Sequence, residues 1–190
     1  MVAQTRPATL EDLAATPDDG RIYELLNGEI VVSAAPTWKH QVVLQMLNRS
    51  IDGWVVQHGT GIALTAPVDI VLDAENVLQP DLLYVGPDNP GRVRNGRFHG
   101  APDLAVEIIS PTSRNRDATV KAMRYALAGI REFWLVDPDL RTIALFELDG
   151  TFYTERAPES DGVFVSGVLT GLRLDPASVF AAADRVIQNG

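Results

Sequence analysis

The stretch Leu104-Ala105-Val106-Glu107-Ile108-Ile109 is a nearly continuous apolar run that contains a single carboxylate. A short run of this kind is typical of a strand that is buried on both faces in the middle of a sheet. An ionised carboxylate at such a position is costly unless it is paired or bound to a metal ion. We therefore expect Glu107 to have a partner, and it is the first candidate site residue.

A second apolar run, residues 78–85, places Asp81 in the middle of another predicted strand. Neighbouring strands lie about 4.8 Å apart, so the two carboxylates can converge on one cation. The dipeptide Pro-Asp occurs five times in the chain, so it is the strand context that selects Asp81. An ion pair with a nearby arginine or lysine is the alternative for each carboxylate, and the pattern leaves it open.

The elements around these strands follow from periodicity, capping residues and turn signals. The Asn-Gly and Asp-Gly pairs predict two hairpins, and the stretch 86–102, rich in Pro, Gly, Asn and Arg, predicts a long loop. The predicted helices are residues 9 to about 17, 37–58, 115 or 117 to 128, and 179–186, and the predicted strands are 23–26, 29–32, 62–72, 78–85, 104–109, 132–136, 142–148 and 152–155. No linker divides them, so residues 1–190 form one predicted domain of the α/β or α+β class.

Composition restricts the chemistry of any metal site. The chain has no cysteine, and its histidines His40, His58 and His99 lack the spacing of a zinc hydrolase. Hard oxygen ligands, and hence Mg²⁺ or Mn²⁺, are therefore expected. No run approaches the roughly 18 apolar residues of a membrane span, and the N-terminal residues lack the apolar core of a secretory signal. We expect a cytoplasmic protein without a membrane segment.

The charge distribution is uneven. A net charge of −9 argues against a protein that coats nucleic acid. Residues 91–131 nevertheless hold eight of the sixteen basic residues and only three acidic ones. Four side chains of this stretch can hold phosphates, although a solvated basic loop explains them equally well: Arg92, Arg94, Arg97 and His99.

Several short motifs occur in a fixed order along residues 8–155: Tyr23-Glu24-Leu25-Leu26-Asn27-Gly28-Glu29, His40, Pro80-Asp81-Leu82, Ala101-Pro102-Asp103-Leu104-Ala105-Val106-Glu107-Ile108-Ile109-Ser110-Pro111, Lys121, Tyr125, Gly129 and Glu132-Phe133-Trp134-Leu135-Val136-Asp137-Pro138. Taken together, they resemble the Uma-two family of the PD-(D/E)xK nuclease superfamily. The resemblance implies a restriction-endonuclease-like mixed sheet flanked by helices, with hairpins at both ends. It also implies that Asp81 and Glu107 are metal ligands. A strand carbonyl such as that of Ile108 is a candidate for an extra ligand.

The sequence departs from the superfamily pattern at one position. The lysine expected two residues after the second acid is Ile109 here. The resemblance suggests that Lys121, on the following helix, supplies the ammonium instead. The alternative is that Lys121 pairs with Asp117 on the helix surface, a contact of about 0.3–0.5 kcal/mol.

Two further residues are weaker candidates for the site. Glu24, before the first hairpin, can be a third acid, or a solvated residue on an edge strand. His40, at the start of the long helix, can transfer protons or bind phosphate, or can be a surface or capping residue.

These observations predict a Mg²⁺- or Mn²⁺-dependent endonuclease that hydrolyses nucleic acid, with DNA expected ahead of RNA, and they are compatible with a homodimer. A catalytically inactive module that keeps the fold and binds a protein or nucleic-acid partner is the alternative. The acidic pI and the displaced lysine favour that module, whereas the paired acids oppose it. A glycosidase is compatible with two carboxylates, but no aromatic-lined sugar cleft is evident.

Overall fold

The computed structural model describes residues 6–33, 35–110 and 116–187. The helices are α1 (Leu10–Ala14), α2 (Trp38–His58), α3 (Ala122–Ala128), which follows a π-helical turn (Arg116–Lys121), and α4 (Pro176–Ile187). The strands are β1 (Ile22–Leu26), β2 (Glu29–Ser33), β3 (Ile62–Thr65), β4 (Ile70–Asp73), β5 (Asn76–Leu78), β6 (Leu82–Val85), β7 (Arg92–Arg94), β8 (Arg97–His99), β9 (Leu104–Ile108), β10 (Glu132–Asp137), β11 (Thr142–Asp149), β12 (Phe152–Arg156), β13 (Phe164–Val165) and β14 (Arg173–Leu174).

The strands form two mixed six-stranded sheets and one small pair, β13–β14. The first sheet has the order β2-β1-β5-β4-β8-β7, and the second has the order β12-β11-β10-β9-β6-β3. Each large sheet contains one parallel contact, β4 with β8 and β9 with β10, and its other contacts are antiparallel. The α+β class and the mixed sheet with helices are therefore confirmed, although the strands divide into two sheets.

Both predicted hairpins are present. Asn27 and Gly28 have φ angles of 56° and 72°, and positive φ at both central residues is what a two-residue type I′ turn requires. Gly150, with a φ of 63°, lies in the turn between β11 and β12. One hairpin ends the first sheet, and the other ends the second.

Two stretches that were each predicted to form one strand form two strands instead. The stretch 62–72 divides into β3 and β4, and the stretch 78–85 divides into β5 and β6, with the two halves in different sheets in each case. Pro67 and Pro80 lie at these breaks. Proline lacks the N–H that a ladder requires, so the chain leaves one sheet there and enters the other. As a consequence Asp81 immediately precedes β6 and is not in the middle of a strand.

The predicted long loop 86–102 is also wrong, because it contains the hairpin β7–β8. Asn95 and Gly96 form its turn with φ angles of 50° and 77°. This is the same Asn-Gly signal that predicted the first hairpin. The arginines on either side lack the apolar alternation of a strand, and this concealed the hairpin. The first helix is also shorter than predicted and ends at Ala14. The predicted helix start at Asn115 lies outside the described residues.

The second sheet is covered on both faces. Val43, Leu47 and Ile51 of α2 pack on Val106 and Trp134, together with residues of α4. On the opposite face, Tyr125 of α3 belongs to a cluster with Leu83, Ala105 and Phe133, which residues of the first sheet extend. Each fully buried large apolar side chain contributes about 1.5–3 kcal/mol of burial free energy.

Alternation along β9 determines where its carboxylate points. Val106 and Ile108 belong to the cluster on the α2 face, whereas Ala105 belongs to the cluster on the α3 face. Successive strand residues face opposite sides, so Glu107 points towards α3 and the first sheet. Among the described residues, no helix is long and apolar enough to cross a membrane.

Candidate active site

Glu107 is held by two donors from the helical segment after β9. Lys121 Nζ lies 3.0 Å from Glu107 Oε1, and the Tyr125 hydroxyl donates to the same oxygen at 2.5 Å. Lys121 is the last residue of the π-helical turn, and Tyr125 lies four residues on, in α3. Residues four apart on a helix are neighbours, so one face presents both donors to the strand.

Lys121 also contacts a second carboxylate. Its Nζ lies 2.8 Å from Glu24 Oε1, so one ammonium bridges Glu24 and Glu107. The exposed fractions of Glu24, Glu107 and Lys121 are 1%, 3% and 3%. Lys121 is therefore a buried residue and not a helix-surface one. Together, Glu24, Glu107 and Lys121 carry a formal charge of −1. The side chain of Asp117, its alternative partner, lies outside those that the structure describes.

Glu24 lies in β1, which has neighbours on both sides in the first sheet. Its Oε1 accepts the backbone N–H of Gln79 at 2.7 Å, and its Oε2 accepts the Ser33 hydroxyl at 3.4 Å. Gln79 lies in the connection between β5 and β6, two residues before Asp81. Glu24 thus fixes the segment that carries Asp81, and it is not a solvated residue on an edge strand.

Asp81 reaches the edge of β9 next to Glu107. Its Oδ2 accepts the Ile108 N–H at 2.7 Å, and its side chain remains 20% exposed, towards the cleft. Within a strand, the N–H and the C=O of one residue point to the same edge. The carbonyl of Ile108 therefore also faces the Asp81 side. The sequence predicts two acids on adjacent strands. In the structure Glu107 lies in β9, whereas Asp81 lies in the connection before β6 and reaches β9 from there.

His40 approaches Asp81 from α2. Its Nε2 lies 3.3 Å from Asp81 Oδ2, and the residue is 6% exposed. The hydroxyl of Thr37 accepts the His40 backbone N–H, so Thr37, not His40, caps the helix. His40 Nδ1 has no hydrogen-bond partner among the described residues. His40 is thus a buried imidazole at the cleft and not a surface or capping residue.

These side chains line one cleft, which lies where the two sheets meet and encloses about 540 Å³. Clefts of about 300–1,000 Å³ are typical of ligand sites. The cleft wall contains all five candidate side chains and the backbone of Ile108: Glu24, His40, Asp81, Glu107 and Lys121. Arg21 also lines it, and its side-chain hydrogen bond to Asp19 lowers the pKa of that carboxyl to about 2.

The family comparison matches residues 8–177 to the Uma2 family, the Uma-two family of the resemblance, which is described as "Putative restriction endonuclease". This chain belongs to the Uma2 family. The match extends beyond the resemblance found in the sequence. A comparison with curated proteins found no match.

A solved structure from Anabaena variabilis, described as "a putative nuclease belonging to DUF820", is similar to this Uma2 chain with a TM-score of 0.77 and 21% sequence identity. The similarity covers 93% of this chain and 99% of that one. At this level of identity the likeness shows a shared fold, and it confirms the nuclease-like fold that the resemblance implies.

Restriction-endonuclease-like families generally use divalent metal ions, and the donor set of this Uma2 chain fits such an ion. Asp81, Glu107 and the Ile108 carbonyl offer hard oxygen atoms, the ligands that Mg²⁺ and Mn²⁺ prefer. Within residues 6–33, 35–110 and 116–187, no group of three or more His, Asp or Glu side chains forms a metal cage. Mg²⁺ usually binds through one or two carboxylates and keeps several waters, so the absence of a cage does not conflict with it.

The sequence predicts Glu24, His40, Asp81, Glu107 and Lys121 as site residues, but it assigns no role to two residues that hold them. Tyr125 belongs to the quoted motifs and fixes Glu107, and its spacing of four residues from Lys121 was the available signal. Gln79 fixes Glu24 through its backbone N–H. No side-chain pattern predicts that contact, because any residue except proline at position 79 can donate a backbone N–H.

Proposed function

We propose that this Uma2 chain is an endonuclease that hydrolyses phosphodiester bonds of nucleic acid with the help of Mg²⁺ or Mn²⁺. The observation that supports it is the convergence of three carboxylates, an imidazole and an ammonium on one cleft. Asp81 accepts the backbone N–H of Ile108, the residue that follows Glu107 in β9. The family description "Putative restriction endonuclease" also supports phosphoryl chemistry at such a site.

Asp81, Glu107 and the Ile108 carbonyl would hold the metal ion. When bound, the ion would polarise the scissile phosphate and lower the pKa of a coordinated water. Asp81 is suited to bind a metal ion because its side chain is partly exposed to the cleft and the Ile108 N–H holds its carboxylate in place. Glu107 is held in place from the opposite side by Lys121 and Tyr125.

Lys121 would stabilise the negative charge that develops at phosphorus, which is the role of the lysine missing at position 109. Its Nζ lies 3.0 Å from Glu107, so it is within reach of a phosphate that contacts the same metal site. Glu24 holds the ammonium at the cleft through a contact of 2.8 Å. His40, or Glu24 itself, would transfer a proton to or from the attacking water or leaving oxygen.

The proposal also includes the domain organisation, the compartment, the type of nucleic acid and the assembly. Residues 1–190 act as one domain in the cytoplasm, on DNA in preference to RNA, and two copies of the chain would allow both strands of a duplex to be cut. A nuclease that cuts both strands benefits from two sites related by symmetry.

A non-catalytic binding module is the second candidate, and one observation favours it. Lys121 already neutralises half of the formal charge of the two buried carboxylates, since it contacts both Glu24 and Glu107. A buried ion-pair network is a structural solution in itself, and such networks also occur without catalysis.

The test combines thermal stability with cleavage. Wild type, Asp81→Asn and the matched control Asp161→Asn are titrated with Mg²⁺ and Mn²⁺ and incubated with single- and double-stranded DNA and RNA. Asn keeps an oxygen to accept the Ile108 N–H but loses the charge, so it should abolish both the metal-dependent shift in Tm and cleavage. Asp161 pairs with Arg173 and does not line the cleft, so its variant should behave as wild type. Absence of both effects in the wild type overturns the metal-dependent nuclease and supports the binding module.

A further inference from the structure

The hairpin β7–β8 has one basic face. Its cross-strand partners are Arg92 with His99, Val93 with Phe98, and Arg94 with Arg97. Directly opposed residues lie on the same side of a sheet, and residues two apart along a strand do as well. Phe98 is buried in the cluster between the sheets, so the opposite side carries four basic side chains, which we name the basic face: Arg92, Arg94, Arg97 and His99.

The basic face is only partly neutralised. Arg97 is paired with Asp69, at 2.7 Å. Arg92 donates to the backbone carbonyls of residues 89–91, which orient its guanidinium without cancelling its charge. Arg94 is exposed, and among the described residues no carboxylate forms an ion pair with Arg92, Arg94 or His99. In a chain with a net charge of −9, two neighbouring arginines that no described carboxylate pairs, Arg92 and Arg94, favour an anionic partner.

A continuous set of contacts connects the basic face to the cleft. Glu24 accepts the backbone N–H of Gln79, the Gln79 side-chain amide donates to Asp69 at 2.7 Å, and Asp69 accepts from Arg97. Gln79, Asp69 and Arg97 lie at the same end of their strands in the first sheet, and Gln79 also lines the cleft. The cleft and the turn of the hairpin therefore lie along one rim.

The strand order gives the length of this rim. From β1, which carries Glu24, to β7, which carries Arg94, the order is β1-β5-β4-β8-β7. Four spacings of about 4.8 Å amount to about 19 Å. At about 3.4 Å per base pair this is roughly half a turn of a B-form duplex. A duplex that follows this rim would thus reach from the cleft to Arg94 and Arg97, which flank the turn of the hairpin, within about half a turn.

We propose that the basic face binds the phosphate backbone of duplex DNA and aligns it with the cleft. A two-stranded ribbon is an element that the major groove of B-DNA, about 12 Å wide, can admit, whereas the deep and narrow major groove of A-form RNA excludes side chains. The face carries three arginines, which suit phosphate oxygens because their planar donors can bind in pairs. The assignment of this DNA as the substrate rests on the proposed function, but binding itself does not.

Binding is therefore measured without cleavage. The full-length chain is titrated with a fluorescent 20-base-pair DNA duplex in the presence of EDTA, at several salt concentrations. Each phosphate contact changes the slope of log K against log salt by about 0.9, which amounts to roughly eightfold in affinity per contact at about 0.1 M salt. Arg94→Gln should weaken binding by roughly that factor and reduce the slope by about one unit, and Arg92→Gln/Arg94→Gln should have about twice the effect on the logarithm.

The matched control is Arg173→Gln, which makes the same change in charge. Arg173 lies near the far end of α2, where Trp54 bonds the Thr170 carbonyl, and about 21 Å of helix separates Trp54 from His40. This control should bind as wild type. Unchanged affinity and slope in the double variant, an equal loss in the control, or tighter binding of an RNA duplex than of the DNA duplex would each overturn the proposal.

The two proposals fail in different ways. DNA binding that depends on Arg94, without cleavage when Mg²⁺ is added, supports the basic face and contradicts the nuclease. Cleavage with unaltered binding by the Arg92→Gln/Arg94→Gln variant supports the nuclease and overturns the basic face. A wild type that does not bind the DNA duplex overturns the basic face whatever its activity.

Discussion

The bridge from Lys121 to two buried carboxylates allows a quantitative prediction for Lys121→Met. The ammonium lies 2.8 Å from Glu24 and 3.0 Å from Glu107. At an effective dielectric constant of about 20, each contact contributes about 6 kcal/mol of Coulomb attraction. Burial of the ammonium costs several kcal/mol in return, and breaking a buried pair therefore typically costs about 3–5 kcal/mol. We expect Lys121→Met to lower the free energy of unfolding by this amount.

Methionine nearly preserves the volume and shape of lysine, so the loss measures the charge and not a cavity. Urea-induced unfolding in the absence of metal gives the free energy, and cleavage assays below the unfolding transition give the effect on activity. A domain has only about 5–15 kcal/mol of stability, so the measurement is made at low temperature. A loss below about 1 kcal/mol would refute the reasoning, because no buried pair can then have been broken.

Two further variants separate the charge from other effects. Glu24→Gln/Lys121→Met removes one of the two carboxylates left unpaired. Its loss of stability should be about 0.5–3 kcal/mol smaller than the sum of the losses in the two single variants, since contacting residues couple by that amount. Ile109→Lys in the Lys121→Met background returns an ammonium from the strand and should recover part of the loss. Strict additivity of the first pair would contradict the bridge.

Three other predictions concern individual contacts. Tyr125→Phe removes a hydroxyl bound to the Glu107 carboxylate and should cost about 1.5–3 kcal/mol in urea unfolding and lower the cleavage rate; a wild-type rate would contradict its positioning role. Glu132→Gln alters a buried carboxylate outside the cleft that accepts two backbone N–H groups, so it should lower Tm while DNA cleavage by the folded protein stays unchanged. Arg21 lowers the pKa of Asp19 to about 2, so the stabilisation from this pair is present above about pH 4 and is lost as the pH falls through 2. In Arg21→Gln an NMR titration should find the Asp19 pKa raised towards its ordinary value, while the Tyr23 hydroxyl and the backbone N–H of residue 21 still lower it.

The parts of the fold that depend on local signals could be predicted from the sequence. The Asn27-Gly28 turn and the helix capped by Thr37 depend on backbone conformations that only a few residue types favour. Glu107 could be recognised because burial of an unpaired carboxylate is so unfavourable that a partner was required. That partner is Lys121, together with Tyr125.

The division into two sheets could not be predicted in the same way. The stretch 78–85 is apolar on both sides of Pro80, and a run of apolar residues does not indicate which sheet each half joins. The assignment depends on pairing with β1 and β9, which are distant in sequence. The basic hairpin was missed for the opposite reason. All three residues of its edge strand β7 are exposed, so β7 lacks the hydrophobic pattern from which a strand is predicted.

The absence of a lysine at position 109 changes how the ammonium is positioned in the site, but it does not change the charge of the site. Residues two apart in a strand share a face, so a lysine at 109 would have stood beside Glu107 by strand geometry alone. Ile109 is instead buried, at 7% exposure, and the ammonium arrives from the end of the π-helical turn. Its position then depends on how α3 packs, for example on the contact between the Tyr125 and Phe133 rings, 5.5 Å apart. The same charge is therefore present, but tertiary packing and not strand periodicity places it, and for this reason a fixed sequence spacing cannot locate it.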